Sequence, residues 1–241
     1  MIEIIKGNIF ATEAQTIVNT VNCVGVMGAG IAYEFRLRYP KMYERYVEIC
    51  KAKQLQIGTL WIYKTDSKWI LNFPTKYDWK YESKIEYLEK GLQKFIETYK
   101  EKGVQSIAFP ILGASNGGIP ETTSIEVMKR YLSNCDIKVE IYQYDPSAYD
   151  DLFLNFKNIF NSFPEKTIVE KSGLRIDFVK KLKDALQNDN IRSMSRLLTV
   201  KGIGEVTLEK SFSFMINYKP ESDLLKTTNK EKSCHLRLYL F

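Results

Sequence analysis

Short apolar stretches alternate with longer amphipathic ones from residue 1 to about residue 163. Six short stretches are rich in β-branched or aromatic residues and are bounded by turn residues, a pattern typical of β-strands. They cover residues 2–5, 16–21, 60–65, 68–73, 105–110 and 137–144. Asp66-Ser67, between the third and fourth stretches, indicates a hairpin that joins two antiparallel strands.

The longer stretches carry apolar residues at helical spacing. Predicted helices begin near Gly28, at Pro40, after Ser83, near Ile125 and after Pro146. Ser83 and Glu86 have the spacing of a capping box, and Gly103 is placed to end the helix that they begin. Strands that alternate with helices predict a layered α/β domain with a largely parallel sheet over residues 1–163.

The remainder, residues 165–241, has a different character, and we expect a separate basic helical appendage. Its helical periodicity covers residues 174–186 and 191–198. It holds 15 Lys and Arg against 10 Asp and Glu, whereas residues 1–164 hold 20 against 19. This asymmetry favours a polyanionic partner, although a solvated basic surface explains it as well.

Composition narrows the class of protein. With 241 residues, 44% of them hydrophobic and 27% charged, the chain has an ordinary globular balance. Its four cysteines are far apart, and its one histidine, His235, adjoins only Cys234. This spacing suits no zinc site, so we expect neither a metal nor a cofactor. Without a leader or an apolar run of about 18 residues, we expect a cytoplasmic protein with no membrane contact.

Three unusual loops follow predicted strands. NCVGVMGAG follows residues 16–21, FPTKYDW follows residues 68–73, and ILGASNGG follows residues 105–110. Ligands of open parallel sheets bind beyond the carboxyl ends of the strands. We therefore expect these loops to meet at one edge of the sheet and to carry the chemistry.

The residue types in these loops leave alternatives open. Glycines before a helix let backbone N–H groups approach a diphosphate, but they also serve as plain turns, and their spacing is neither that of a dinucleotide fingerprint nor that of a P-loop. Asn19 and Asn22 offer polar contacts or cap a loop. Lys76 lies among aromatic residues, where an amine either extends to solvent or becomes a nucleophile.

Four strings together resemble a known family: NTVNCVGVMGAGIA, NFPTKYDW, SKIEYLEKGL and PILGASNGG. Their order and spacing resemble macrodomains, and among these the DarG-type DNA ADP-ribosyl glycohydrolases, the antitoxins of DarT toxins. The resemblance extends from residue 1 to about residue 144. It implies a three-layer α/β/α fold with a mixed, largely parallel sheet, and a hydrolase that binds ADP-ribose and removes it from modified DNA.

The resemblance also implies roles for individual residues. Asn8 and Ile9 correspond to the loop that meets the adenine. Lys76 and Asn22 correspond to the catalytic residues: glycohydrolysis depends on the lysine, and the asparagine orients the distal ribose. The remaining ligand-binding positions are Asn19, Gly28, Gly30 and Ile31 in the first loop, and Gly113, Ala114, Ser115, Asn116, Gly117 and Gly118 in the second.

The chain departs from the family pattern in the second loop. The animal terminal ADP-ribose glycohydrolase has a catalytic aspartate where this chain has Ser115-Asn116. Glu121 is either a replacement acid or a stabilising carboxylate at a helix start. The scissile linkage therefore stays open among thymine on DNA, a protein carboxylate and an acyl ester, and a non-catalytic ADP-ribose reader is a further alternative. A cognate ADP-ribosyltransferase toxin is a possible partner.

One string in the basic appendage, VKGIGEVT, resembles the turn of a helix–hairpin–helix motif. Such a turn offers backbone N–H groups to a nucleic-acid phosphate without reading the sequence. Lys201, Gly202, Gly204 and Lys210 are the expected contacts, although the same Gly-Ile-Gly turn also occurs as a plain helix connector.

Overall fold

A computed structural model of the chain describes residues 1–218 and 239–240. Its sheet has the strand order β1-β6-β5-β2-β4-β3-β7. The strands are β1 Ile2–Gly7, β2 Thr16–Val21, β3 Trp61–Lys64, β4 Trp69–Pro74, β5 Ser106–Pro110, β6 Lys138–Tyr144 and β7 Tyr239–Leu240. Pairing is parallel from β1 to β4 in this order and antiparallel for β4–β3 and β3–β7, so the sheet is mixed and largely parallel, as predicted.

Eight α-helices accompany the sheet in the described part of the chain. They are α1 Gly30–Arg38, α2 Pro40–Lys51, α3 Ile85–Lys102, α4 Glu121–Leu132, α5 Phe153–Ser162, α6 Glu165–Ser172, α7 Ile176–Ala185 and α8 Glu205–Asn217. Gly103 ends α3 with a φ of 80°, a left-handed conformation that glycine adopts readily, as the sequence predicts. The expected helix over residues 191–198 is instead a 3₁₀ helix at Ser195–Thr199.

Alternate residues of the central strands point into two apolar cores, one on each face of the sheet. Ile17 and Ile70 face α1 and α2, in a core that also holds Phe35 and Tyr46. Their neighbours along the strands face α3 and α4 in the second core, whose members include Val18, Leu71, Phe73, Leu92, Phe95, Phe109 and Met128. Burial on both faces is the reason that these strands are almost wholly apolar, and it confirms the three-layer α/β/α arrangement.

The chain divides into two compact units at Pro146–Ser147, earlier than the predicted boundary after residue 163. Among the described residues, the first unit comprises Met1–Pro146 and strand β7, and the second comprises residues 147–218. Helix α5 belongs to the second unit because its buried rings pack there: the Phe160 ring lies 5.9 Å from that of Phe214 in α8, edge to face. If the boundary lay after α5, these rings would belong to a different unit from the Phe214 ring that covers them.

None of the helices in the described part of the chain combines the length and the apolar composition that a membrane-spanning helix requires.

The contact between α3 and β4 depends on a missing side chain. A Cβ atom at Gly91 would lie 2.2 Å from Cζ of Phe73, which is fully buried. Replacing an interior helical glycine by alanine ordinarily stabilises a helix by about 0.5–1 kcal/mol. We expect Gly91→Ala to lower the free energy of unfolding instead, by about 1–3 kcal/mol, because the ring and the helix must separate. Urea unfolding followed by circular dichroism measures the change.

Gln93→Ala is the matched control for this substitution. Gln93 is exposed on the same helix, where its side chain bonds Glu97, and its replacement should change the free energy of unfolding by about 0.5 kcal/mol or less. A Gly91→Ala protein as stable as this control would contradict the packing described above.

Candidate functional site

Three loops lie beyond the carboxyl ends of adjacent parallel strands. The first loop (residues 22–29) follows β2, the middle loop (residues 75–84) follows β4, and the second loop (residues 111–120) follows β5. Because β2 pairs in parallel with both β4 and β5, all three leave the same edge of the sheet. The prediction that the unusual loops meet at one edge is confirmed.

Asn22 fixes the shape of the first loop. Its Oδ1 accepts hydrogen bonds from the backbone N–H groups of Val24 and Val26, at 3.0 and 3.2 Å, and from the Tyr46 hydroxyl at 3.0 Å. Its Nδ2 donates to the carbonyl oxygen of Val26 at 2.6 Å. The loop can curl this tightly because Gly25 adopts a φ of 84°. The structure thus places Asn22 as the organiser of the loop.

Gly28 and Gly30 are exposed at the point where the first loop enters α1. Gly30 has a φ of 58°, and Ile31 follows it, half-buried, in the first turn. None of residues 30–33 is acidic, so the N–H groups that begin α1 meet no negative charge within their own turn. Such a helix start attracts anions.

The second loop is a tight 3₁₀ turn, Ser115–Gly117, with glycine on either side. Gly113 and Gly118 have φ values of 66° and 81°. A Cβ at Gly113 would lie 2.8 Å from Cδ1 of Ile119, so the close approach of the loop to itself requires glycine there. Ser115 and Asn116 are exposed at its tip, and Ala114 is half-buried.

Asn116 brings the three loops together. Its carbonyl oxygen accepts a hydrogen bond from Nζ of Lys76, at 2.5 Å. Its Nδ2 lies 2.9 Å from the position that a Cβ would take on Gly30. The middle loop is also tied to the first, because the N–H of Cys23 donates to the carbonyl oxygen of Tyr77 at 3.0 Å. The lysine amine therefore lies against the second loop, which in turn reaches Gly30 at the end of the first; these two are called the glycine loops below.

Three other predicted ligand positions are buried. Asn19 is fully buried, and its Nδ2 donates to Oδ1 of Asn72 on the neighbouring strand at 2.9 Å. Asn8 uses its Oδ1 to accept from the N–H of Phe10 at 3.0 Å, which caps the short 3₁₀ helix in which Ile9 is buried. This burial gives no support to direct contact of the Asn19 side chain with a ligand.

Glu121, the candidate acid, is the first residue of α4, and its carboxylate accepts a hydrogen bond from Gln143 at 2.8 Å. This position corresponds to the second of the two roles considered for Glu121, a stabilising carboxylate at the start of a helix.

Ser83 has a place that sequence analysis missed. The predicted capping box is wrong, because Lys84 is the N-cap of α3 and Ser83 turns towards the second loop. Its N–H donates to the carbonyl oxygen of Gly117 at 2.8 Å, and its buried Oγ finds no hydrogen-bond partner among the described residues. The pattern Ser-x-x-Glu singles out Ser83 in the sequence, but it predicts a bond within α3, whereas the observed partner is Gly117 of the second loop.

The predicted nucleic-acid residues lie in the second unit, at the turn before α8. Lys201 and Gly202 are exposed, and Gly202 has a φ of 87°. A Cβ on Gly204, the N-cap of α8, would meet open space within the described part of the chain. Lys210 differs from the others, because its Nζ donates to the carbonyl oxygen of Gly173 at the end of α6. Its amine is thus already engaged.

The chain is similar to known proteins in sequence and in structure. A family model described as Macro domain matches residues 18–128. A DNA ADP-ribosyl glycohydrolase from Thermus aquaticus is 38% identical over 150 residues, 61% of this chain and 41% of that protein. The chain thus spans about two fifths of the length of this curated relative.

Two solved structures are similar as well. The macrodomain of Thermus aquaticus DarG superposes with a TM-score of 0.57 at 37% identity, over 59% of this chain and 98% of that one. A Thermosipho africanus DarTG in complex with ADP-ribose superposes with a TM-score of 0.57 at 35% identity, over 60% of this chain and 41% of that one.

Three buried thiols in the first unit yield a prediction. Burial raises the pKa of Cys23 from its ordinary value of 9.0 to about 12, and those of Cys50 and Cys135 to about 11. Only the thiolate reacts with aromatic disulfides. In a Cys234→Ser protein at pH 8, we expect the three thiols to react at least about a hundredfold more slowly than after denaturation.

The pH dependence of stability has a definite sign. An unfolded thiol ionises near pH 9, whereas the folded Cys23 thiol stays protonated until about pH 12, so these groups favour the unfolded state progressively across that interval. Rapid labelling of the native protein at pH 8 would contradict the burial of these thiols.

Proposed function

The chain belongs to the macrodomain family, and on that premise we propose that it is an ADP-ribosyl glycohydrolase that removes ADP-ribose from modified nucleic acid, most directly DNA. The observation that carries the proposal is the position of the Lys76 amine, which lies against Asn116 of one glycine loop while Asn116 in turn touches Gly30 of the other. A protein that only bound ADP-ribose would have no need of a nucleophilic amine at this point.

The two glycine loops hold the diphosphate in this proposal. The backbone N–H groups at Gly28, Gly30 and Ile31 face an anion with the positive end of α1 behind them. The turn from Gly113 to Gly118 supplies the opposing N–H groups, and the absence of side chains at its glycines lets a phosphate approach the backbone closely. Asn8 and Ile9 support the adenine end through the backbone of their turn.

Asn22 positions the distal ribose in this proposal. Its Oδ1 already accepts three hydrogen bonds, so it supports the ribose mainly by holding the first loop in shape. Asn19 supports the site indirectly from within the sheet. Its side chain bonds that of Asn72, which joins β2 to β4 shortly before each strand ends and its loop begins.

Lys76 is the proposed nucleophile. Its Nζ attacks C1 of the distal ribose and the bond from C1 to the base nitrogen breaks; the alkylated lysine nitrogen gives up a proton, and the base leaves with it. Water then adds at C1 and displaces the lysine nitrogen, which releases ADP-ribose and restores the amine. The reaction class that supplies such a substrate is ADP-ribosyl transfer to DNA, so a DNA-modifying ADP-ribosyltransferase is the proposed functional partner.

Replacing Lys76 tests this assignment directly. We expect Lys76→Ala to reduce release of ADP-ribose from an ADP-ribosylated oligonucleotide by about a hundredfold or more, while the affinity for free ADP-ribose changes by less than about tenfold. Lys76→Arg keeps a cation beside Asn116 but no nucleophile, and should be as inactive as the alanine variant. Chromatographic assay of released ADP-ribose and calorimetric titration give the two quantities.

Lys41→Ala is the matched control, because it removes the same charge from an exposed position on α2. An active Lys76→Arg protein would show that charge suffices and would refute the nucleophile. Binding of ADP-ribose without release from modified DNA, modified protein or an acyl ester by the unaltered chain would favour the reader function.

A second contact with nucleic acid is proposed for the turn before α8. Its support is the exposed Lys201, the left-handed Gly202 and the open space beside Gly204, together with the Lys181 amine, which would lie 3.0 Å from a Cβ on Gly202. These features leave backbone N–H groups and two cations accessible to a phosphate. Lys210 joins α8 to the end of α6 through its bond to the carbonyl oxygen of Gly173.

Salt dependence distinguishes this contact from a merely solvated surface. We expect Lys201→Ala to weaken binding of the chain to an unmodified DNA duplex and to reduce the slope of log affinity against log salt by about 1. Fluorescence anisotropy at several salt concentrations measures both. Lys166→Ala removes an equally exposed charge from α6 in the same unit, and an equal effect of both variants would argue against a specific contact.

A further inference from the structure

The middle loop exposes three aromatic side chains within five residues. Tyr77, Trp79 and Tyr81 are 56%, 53% and 69% exposed, although large rings are ordinarily among the more buried side chains. Single exposed apolar residues are common on soluble proteins, whereas several exposed rings close together in the chain indicate a surface for interaction. These rings directly follow Lys76 in the chain.

The rings stand on a well-fixed backbone. At one end of the loop the carbonyl oxygen of Tyr77 accepts from the N–H of Cys23, and at the other the N–H of Ser83 donates to the carbonyl oxygen of Gly117. Between them, Oδ1 of Asp78 accepts from the N–H of Lys80 at 3.0 Å. The backbone of the middle loop is therefore anchored to both the first and the second loop, and it carries the three rings directly after Lys76 in the chain.

A cavity of about 380 Å³ opens among these side chains. It is lined by Tyr77, Tyr81, Glu82, Ser83, Lys84 and Tyr87. This volume lies at the lower end of the range for small-molecule sites, about 300–1,000 Å³, and is large enough for a planar heterocycle. Ser83 lies in its wall, and the buried Ser83 hydroxyl has no hydrogen-bond partner among the described residues.

Lysines alternate with the rings at intervals of four residues: Lys76, Lys80 and Lys84. The Lys80 amine lies 5.6 Å from the centre of the Trp79 ring. Two carboxylates share the loop, but Asp78 is engaged by the backbone, and Glu82 packs beside Gly118. With a net charge of only +1 over residues 76–84, attraction for phosphates is modest, and the rings are the larger feature.

We propose that the middle loop binds unpaired nucleobases of a single-stranded nucleic acid by stacking them on Tyr77, Trp79 and Tyr81. Flat rings with interspersed lysines are the surface that single strands use, since every base has a face to stack. This inference rests on the proposed function in one respect: the stacked bases are those that flank the modified nucleotide at Lys76. The inference adds a second contact, in which the protein binds the nucleic-acid strand itself outside the ADP-ribose site.

Tryptophan fluorescence tests the stacking without any need for catalysis. Of the three tryptophans, Trp61 is buried and Trp69 is half-buried, so Trp79 is the ring that a ligand can reach. We expect oligothymidine and oligouridine, added to the full chain, to quench the emission, and heparin, which has charge but no bases, to leave it unaltered. The Trp79→Phe protein should lose the response.

The outcomes of this titration are decisive in both directions. Equal quenching by heparin, or none by either oligonucleotide, overturns the proposal. A difference between oligothymidine and oligouridine shows whether DNA or RNA is the preferred source of the bases. Quenching by an oligonucleotide duplex as strong as that by the single strand overturns the requirement for unpaired bases.

Hydrolysis provides the second test, and it separates failure of this inference from failure of the proposed function. The ratio of kcat/KM for an ADP-ribosylated oligonucleotide to that for an ADP-ribosylated mononucleoside should fall about tenfold in Trp79→Leu. Trp79→Phe, which keeps a ring, should restore the ratio. Cleavage of both substrates with the same ratio in all three proteins refutes the stacking surface alone. Cleavage of neither refutes the proposed function, while the fluorescence titration still decides the stacking.

Discussion

The parallel pairing of β2 with both β4 and β5 is the constraint on which the site depends. Parallel neighbours must leave the sheet at the same edge, and each must be followed by a crossover, here through α1, α3 and α4. A loop at that edge therefore lies at the start of a helix as a matter of topology. This explains why glycines and polar side chains occur where they do: the backbone must turn sharply and still leave N–H groups accessible. Asn116 then needs only to reach across a short gap to join three loops.

Much of this arrangement follows from local patterns. Strand positions could be predicted within a few residues because β-branched runs bounded by turns are a local property, and Gly103 ends α3 for a reason contained in its own backbone. The edge that carries the loops could also be predicted, since it follows from the alternation of strands and helices. The role proposed for Lys76 rests on resemblance to a family, and the structure adds the hydrogen-bond partner of its amine, Asn116.

The rest depends on tertiary contacts that local patterns do not contain. Ser83 matched a helix-capping pattern, yet its N–H is taken by Gly117, a residue 34 positions away. Asn19 is polar and follows an apolar run, but its partner is the opposite residue of β4, so it lies inside the sheet. The boundary between the units was misplaced for the same reason. The sequence of an amphipathic helix such as α5 shows that the helix has an apolar face. It does not show which element covers that face, and in the structure this element is α8.

The contact of Gly91 with Phe73 has a consequence for how this sequence can change over time. Phe73 lies in β4 only three residues before Lys76, and its ring fills the space that any side chain at position 91 would need. The two positions are therefore free to vary only as a pair: a smaller side chain on the strand makes room for one on the helix, and neither substitution is tolerated first without cost. Relatives that pack α3 against β4 at the same distance should therefore have both glycine at position 91 and a large ring at position 73.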